Sequence, residues 1–358
     1  MNHHFRHHYR VLLTLFTLIL LGAGYLAMAP AVDAVGCVHS PRPDRSPCNA
    51  TNRSSANAFS EPEIPEDSFL DGATYGWVED YAYFFDQPGP GATPTRTALS
   101  GIFYGQALET VTDENGKVWH KVWGDWLPER YYHQVESSQF MGIEANRQPE
   151  RPFGWVLRAT TPSPAPGAAP LPGAQELQRY HFVQMHQWQR GTDGNTWYEV
   201  EPGRWVRYDT VALTTVRPRP GDVGPEEYWV DVDLTQQIFA AYEGDHLVYA
   251  GLISSGLSRW ETRTGLNQVW ERHETTPMEG GVLGDDYYYI DDVNHTLYFD
   301  AEIALHGAFW HDDFGRPKSH GCVNMAPYTA EWVFDWSKRA PNDLWVSVHY
   351  ADYADILE

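Results

Sequence analysis

The residues best suited to chemistry lie between Leu305 and Met325. They are a His306-Gly307 pair and, sixteen positions after that histidine, Cys322 at the end of a Ser319-His320-Gly321-Cys322 turn. A thiol reacts as its thiolate, and a free cysteine with a pKa of about 8.5 is only a few per cent ionised at neutral pH. A neighbouring imidazole can take the proton, and a third group must then fix which ring nitrogen is the base. Gly307, with no side chain in the way, offers its backbone carbonyl for that purpose. Gly321 permits a sharp turn before Cys322, so that the N–H groups of Gly321 and Cys322 can point at one oxygen, as in the oxyanion hole of an acyl-transfer enzyme.

The same residues have plainer readings. A lone buried cysteine is usually inert. His306, His311, His320 and Cys322 are all metal-ligand types, but their spacing fits no familiar zinc pattern, and no metal or cofactor is expected. His311, among Trp310, Asp312 and Asp313, is expected to be structural or a solvated rim residue. His320 is open between structure and catalysis.

The His-Gly … Ser-His-Gly-Cys-Val-Asn pattern resembles that of the YkuD-type L,D-transpeptidases, which remodel bacterial peptidoglycan. The resemblance covers about residues 228–351. It implies that Cys322 is the nucleophile, His306 its base and the Gly307 carbonyl the group that orients the base. It implies that His320 and the amides of Gly321 and Cys322 shape the oxyanion site, and that Ser319 and Asn324 face substrate. Many members carry Arg where Asn324 stands, which bears on how the substrate carboxylate is held. Thr262-Arg263-Thr264-Gly265 resembles the family's Thr-x-Thr-Gly segment near the groove. The family's insertion before the base often forms a lid whose tyrosine approaches the oxyanion. Tyr288 is the candidate here, against the plainer view that Tyr287, Tyr288 and Tyr289 fill a strand.

The activity so implied is acylation of Cys322 by a peptidoglycan tetrapeptide stem, release of D-Ala, and transfer to a second stem's amine to give a 3→3 cross-link. Carbapenem-type inhibitors are expected to acylate the same thiol. Water as acceptor would make the protein an L,D-carboxypeptidase, and a protein amine would make it a wall-anchoring enzyme. The non-enzymatic alternative is a wall-binding protein with a vestigial cysteine. The intact set of His306, Gly307, Ser319, His320, Gly321 and Cys322 argues against that.

The whole chain has 358 residues and a formal net charge of −23, which argues against nucleic acid or an anionic membrane as the main partner. Arg6 and Arg10 precede an almost unbroken apolar run from Val11 to Met28, which reads as an export signal. Residues 1–36 are therefore expected to be a signal peptide, with an uncleaved membrane anchor as the alternative; the protein is expected in the periplasm or cell wall. Ala34-Val35-Gly36 before Cys37 matches a lipobox only loosely. Cys37 and Cys48 could pair outside the cytoplasm, which leaves Cys322 unpaired. Residues 37–70, rich in Ser, Pro, Asn and Asp, read as a flexible tether.

Next comes an internal repeat. Asn115-Gly116 and Asp193-Gly194 are hairpin turns, each followed by paired tryptophans: Trp119 and Trp126 in one copy, Trp197 and Trp205 in the other, offset by about 78 residues. Each copy resembles the bacterial SH3-like modules of cell-wall enzymes, placed at 71–137 and 153–216. The tryptophans are either plain core or an aromatic groove for wall ligands. The Pro-rich loop at Thr161–Gly167 is expected to be exposed. Residues 217–227, dense in Pro and Gly, read as a linker. The modules are expected to be dispensable for chemistry, so that a chain beginning near Glu226 keeps turnover on soluble peptides.

The last segment, 228–351, alternates as strands. Tyr228, Val230, Val232 and Leu234 give a half-buried strand; Gln237–Tyr242, His246–Ile253 and Leu344–Tyr350 give others. Gly280–Gly284 reads as a mobile loop. A short helix is expected after Pro327, with Ala330, Val333 and Phe334 on one face. The expected fold is mainly β: an L,D-transpeptidase-type β-sandwich with one short helix after the cysteine, behind two small SH3-like β-barrel modules.

Overall fold

The computed structural model describes residues 58–64, 68–352 and 354–357. The apolar run at 11–28, Cys37, Cys48 and most of the expected tether lie outside the described residues. Among the described residues no helix is long and apolar enough to cross a membrane.

The fold is mainly β. In the first amino-terminal unit Tyr75–Val78 (β1), Ile102–Gln106 (β2) and Tyr132–Gln134 (β3) pair antiparallel in the order β2-β1-β3. A second sheet runs Pro94–Thr97, Tyr83–Phe85, Asp125–Pro128, Val118–Val122, Glu109–Thr112. Between them lie Val78, Phe84, Phe103, Val122, Leu127 and Tyr132.

The second unit repeats the scheme. Two three-stranded sheets hold a core of Val156, Val183, Tyr198, Val206 and Leu213. The repeat extends to side chains: the indole N–H of Trp119 donates to Asp113, and that of Trp197 donates to Asp193, both at 3.0 Å. Each turn aspartate thus pins the first tryptophan of its copy. Trp119, Trp126 and Trp205 are buried, so these are packing residues. Ser163, in the Pro-rich loop expected to be exposed, is buried and pairs with Trp205 through two backbone hydrogen bonds, so this loop lies along the unit's own surface.

The catalytic segment contributes Tyr228–Asp233 (β4), Ile238–Glu243 (β5), His246–Ser254 (β6), Gly265–Gln268 (β7), Glu271–Gly280 (β8), Tyr288–Asp300 (β9), Ile303–Gly307 (β10), Val323–Met325 (β11), the helix Pro327–Ser337 (α1) and Trp345–His349 (β12). Hydrogen bonds run continuously through β7-β12-β4-β5-β6-β11-β10-β9-β2-β1-β3, and β8 pairs with β9 along that strand's other margin. β6 is the bend: its residues from His246 to Leu252 pair with β5, and its last residues, Ile253 and Ser254, pair with Met325 and Asn324. The two halves close over Val230, Val232, Phe239, Leu297, Leu305 and Val323, and α1 adds Val333, Phe334 and Trp336. Pro327 starts α1, where its missing N–H costs nothing.

Two expectations need correction. β4 is not half-buried: Trp229, Asp231 and Asp233 on its outer face are as buried as Val230 and Val232. The second unit covers that face, with Phe153 and Trp155 in one cluster with Trp229, Ile238 and Tyr242. The two aspartates are tolerated there because Asp231 binds His349 at 2.9 Å and Asp233 accepts the N–H groups of Thr235 and Gln236. The described part of the expected tether is also structured. Phe59–Ser60 pairs with the strand Ile143–Ala145, Phe59 packs on Phe153 and Phe182, and Ser68 donates to Glu331 at 2.8 Å. The loop expected at Gly280–Gly284 lies at the tip of the long β8–β9 hairpin, where Asp286 accepts the Val282 N–H at 2.7 Å.

Candidate active site

The Ser319–Cys322 turn is held by hydroxyls. Thr262 Oγ donates to the Gly321 carbonyl at 2.8 Å and accepts the Gly256 N–H at 2.9 Å. Ser319 Oγ donates to the Cys322 carbonyl at 2.5 Å and accepts the Gly321 N–H at 3.1 Å. Gly321 sits at φ +119°, a conformation that strains any other residue. Two expectations change here. Ser319, expected to face substrate, spends its hydroxyl inside the turn. The Gly321 amide, expected in the oxyanion hole, is taken by Ser319, while the Cys322 N–H, like that of His320, has no partner among the described residues.

β10 and β11 run parallel, with His306 beside Asn324. His306 is buried, and its Nδ1 lies 2.9 Å from the Gly307 carbonyl. A carbonyl only accepts, so Nδ1 carries the proton and Nε2 is the basic nitrogen. Burial pushes the imidazole down to about 4, so it is neutral at neutral pH. Gly307 must be glycine, because a Cβ there would stand 2.2 Å from Asn294 Oδ1.

Cys322 is part-buried, and its thiol donates to the Glu302 carbonyl at 3.7 Å. Desolvation pushes the thiol up to about 11, against a smaller opposing hydrogen bond from the Ala304 amide. Thiol and imidazole are thus both neutral at rest. They line one pocket, and the thiol's hydrogen bond is to Glu302.

Asn324 is read through His311. The Asp313 N–H donates to His311 Nδ1 at 3.2 Å, which places the ring proton on Nε2. The amide end of Asn324 that lies 3.1 Å from Nε2 must then be its oxygen, since the two ends of an amide are interchangeable in shape. The NH2 group takes the opposite position, where the amide otherwise has an unpartnered end, and becomes a donor. His311 is therefore buried beneath the pocket rather than at a solvated rim; desolvation drives its pKa down to about 3.

His320 makes no hydrogen bond through Nε2; its ring lies between Trp260, 3.7 Å away, and Tyr288, 4.9 Å away. Tyr288 lines the pocket on β9, and desolvation and then the charge of a Cys322 thiolate push its phenol up to about 12, so it is a proton donor at neutral pH.

The pocket measures about 200 Å³. His306, Cys322, Asn324, His320 and Lys318 form its polar side, with the Lys318 ammonium paired to Asp313. Trp310, Met278, Ile290, Ile102 and Tyr104 form its apolar side. Ile102 and Tyr104 belong to β2 of the first unit, so the unit expected to be dispensable for chemistry lines the same pocket as Cys322. No local motif marks them, because they reach the site through a strand pairing between distant parts of the chain. The roles of Thr262 and Trp310 were missed too; Thr262 at least lies in a recognised segment. Among the described residues no group of three or more His, Cys, Asp or Glu side chains is placed to hold a metal ion.

The family model of the L,D-transpeptidase catalytic domain, YkuD, matches residues 227–346. YciB of Bacillus subtilis (strain 168), a candidate L,D-transpeptidase, is 28% identical over 128 residues, which are 32% of this chain and 63% of that protein. Among solved structures, the catalytic domain of an E. faecium L,D-transpeptidase is 24% identical, with 35% of this chain and 98% of that one covered and a TM-score of 0.31. An L,D-transpeptidase from Mycobacterium smegmatis is 17% identical, with 60% and 93% covered and a TM-score of 0.32. A further similar structure, 14% identical with 60% and 93% covered and a TM-score of 0.32, is the L,D-transpeptidase LdtMt1 in complex with imipenem. Residues 227–346 of this chain therefore form an L,D-transpeptidase catalytic domain of the YkuD family.

Proposed function

We infer that this chain is an exported, cysteine-dependent L,D-transpeptidase acting on peptidoglycan stem peptides. The observation that carries the reading is His306, whose proton is fixed on Nδ1 by the Gly307 carbonyl, in one pocket with the Cys322 thiol. The thiol leaves the Glu302 carbonyl and gives its proton to His306 Nε2 as sulfur bonds to the carbonyl carbon after the third residue of a tetrapeptide stem. Because both groups are neutral at rest, proton transfer accompanies attack instead of preceding it. The Cys322 N–H and the Asn324 NH2 receive the oxyanion. The C–N bond then breaks, and D-Ala leaves as its nitrogen takes the proton from His306. An amine of a second stem attacks the thioester, loses a proton to His306 and restores the thiol. Lys318, paired to Asp313 at rest, supplies a cation for a substrate carboxylate in place of the Arg that many relatives carry at the position of Asn324. Water or a protein amine as acceptor would use the same thioester.

A carbapenem tests the core of this reading, since ring opening by the thiolate leaves a stable added mass. Intact-protein mass spectrometry should show one adduct on the parent, none on Cys322→Ala, and acylation at least about 10³-fold slower on His306→Ala. An adduct on Cys322→Ala, or parent-like rates in His306→Ala at neutral pH, would overturn the assignment. Loss of D-Ala from a tetrapeptide, with or without a cross-linked product, separates transpeptidase from carboxypeptidase.

A further inference from the structure

Strand β9 has two margins. β8 occupies one along its length. The other is shared: β10, which carries His306, pairs antiparallel at Leu297–Asp300, and β2 of the first unit pairs parallel at Tyr288–Ile290. Register places Ile102 beside Tyr288 and Tyr104 beside Ile290. Side chains alternate across a strand, so Phe103 enters the core of the first unit while Ile102 and Tyr104 face the other way, into the pocket that holds Cys322.

Tyr104 continues a row of rings to the base. Its centroid lies 6.2 Å from that of Trp310, which lies 5.8 Å from that of His306. Its side chain is half-buried, and among the described residues its hydroxyl has no hydrogen-bond partner, which leaves that donor and acceptor free for a ligand in the pocket. The contact is fixed by more than packing. Trp123 of the first unit donates its indole N–H to Asp291 of β9 at 3.1 Å, and Phe103 and Trp123 lie against Tyr287 and Tyr289.

We propose that β2 of the first amino-terminal unit is part of the acyl-donor subsite, with Tyr104 hydrogen-bonding the donor stem peptide and Ile102 bearing on its aliphatic part. The division of the pocket fits such a ligand: Lys318 and Asn324 suit the carboxylate and carbonyl of a stem peptide, and the opposite wall suits its methylene and methyl groups. This rests on the stem peptide being the donor.

The test uses the full chain, with a tetrapeptide as donor and iodoacetamide as a small probe of Cys322. Tyr104→Phe keeps the ring and its packing and removes only the hydroxyl. It should raise the donor KM about 3- to 10-fold, the range for one lost hydrogen bond, with iodoacetamide alkylation within about twofold of parent. Ile102→Ala should raise KM by a smaller factor with the same unchanged alkylation. Donor KM within twofold of parent in both variants would overturn the proposal and leave the assigned function standing. A parent chain that alkylates normally yet releases no D-Ala from the tetrapeptide would overturn the function, and the subsite with it.

Discussion

The two amino-terminal units share a sequence rhythm and pinned tryptophans, yet they join the catalytic domain by different means. The first joins by main chain: β2 adds to β9, and the side chains beyond the ladder fall into the pocket. The second joins by side chains: Phe153 and Trp155 cover Trp229, Ile238 and Tyr242 on the back of the sheet, and the Leu213 N–H donates to Gln236 at 3.1 Å. A ladder fixes register to the residue and so can place a side chain beside a nucleophile. An apolar interface excludes water over a broad face but tolerates small shifts. The same small β unit thus serves once as part of a site and once as a cover.

The bluntest way to break the comparison is to remove both units. A chain beginning at Glu226 would expose the fully buried Trp229, Ile238 and Tyr242 and free one margin of β9. It should aggregate or unfold, contrary to what the Pro-rich linker suggests; a monodisperse, cooperatively unfolding fragment by size exclusion and circular dichroism would show that neither attachment matters to folding.

Next in size is Trp155→Ala, a large-to-small change at the heart of the covering interface. It should cost about 3–5 kcal/mol in urea unfolding, while the protein that remains folded alkylates at Cys322 as the parent does. A change in alkylation would mean that the back of the sheet reaches the site.

The smallest effect concerns pH. His295, on β9, is driven down to about 4 by burial, so its neutral form stabilises the fold above pH 6.5, and that contribution is lost as pH falls through 4. His349, on the sheet under the second unit, has a raised pKa through its hydrogen bond to Asp231. Its contribution is present below pH 6.5 and lost as pH rises through its folded value. His295→Asn, which also suits the left-handed backbone there (φ +53°), should lessen the loss of melting temperature on acidification. His349→Asn should increase it. Parallel shifts in both variants would show that other groups set the acid limit.

Much of the site was legible because it is local. His306-Gly307 and Ser319–Cys322 are contiguous pairs and turns, and the strands from Tyr228 to Ile253 and the helix after Pro327 show in their apolar periodicity. What was hidden depends on contacts between distant segments. Period two in β4 reports one apolar face; it does not show that Trp229 on the other is covered by residues far earlier in the chain. Nor does any local pattern reveal that Tyr104 stands beside Ile290. The role of His311 also needed structure, since only its partners Asp313 and Asn324 show which nitrogen carries the proton.

The pairing of β2 with β9 has a consequence in time. It joins a strand near the start of the folded chain to one near its end, and contacts of such long sequence separation close late and slowly. The first unit is synthesised before its partner strand, His306 and Cys322. The pocket that holds Cys322 is therefore completed late, and until the two strands pair the thiol belongs to a protein that lacks the wall formed by Ile102 and Tyr104.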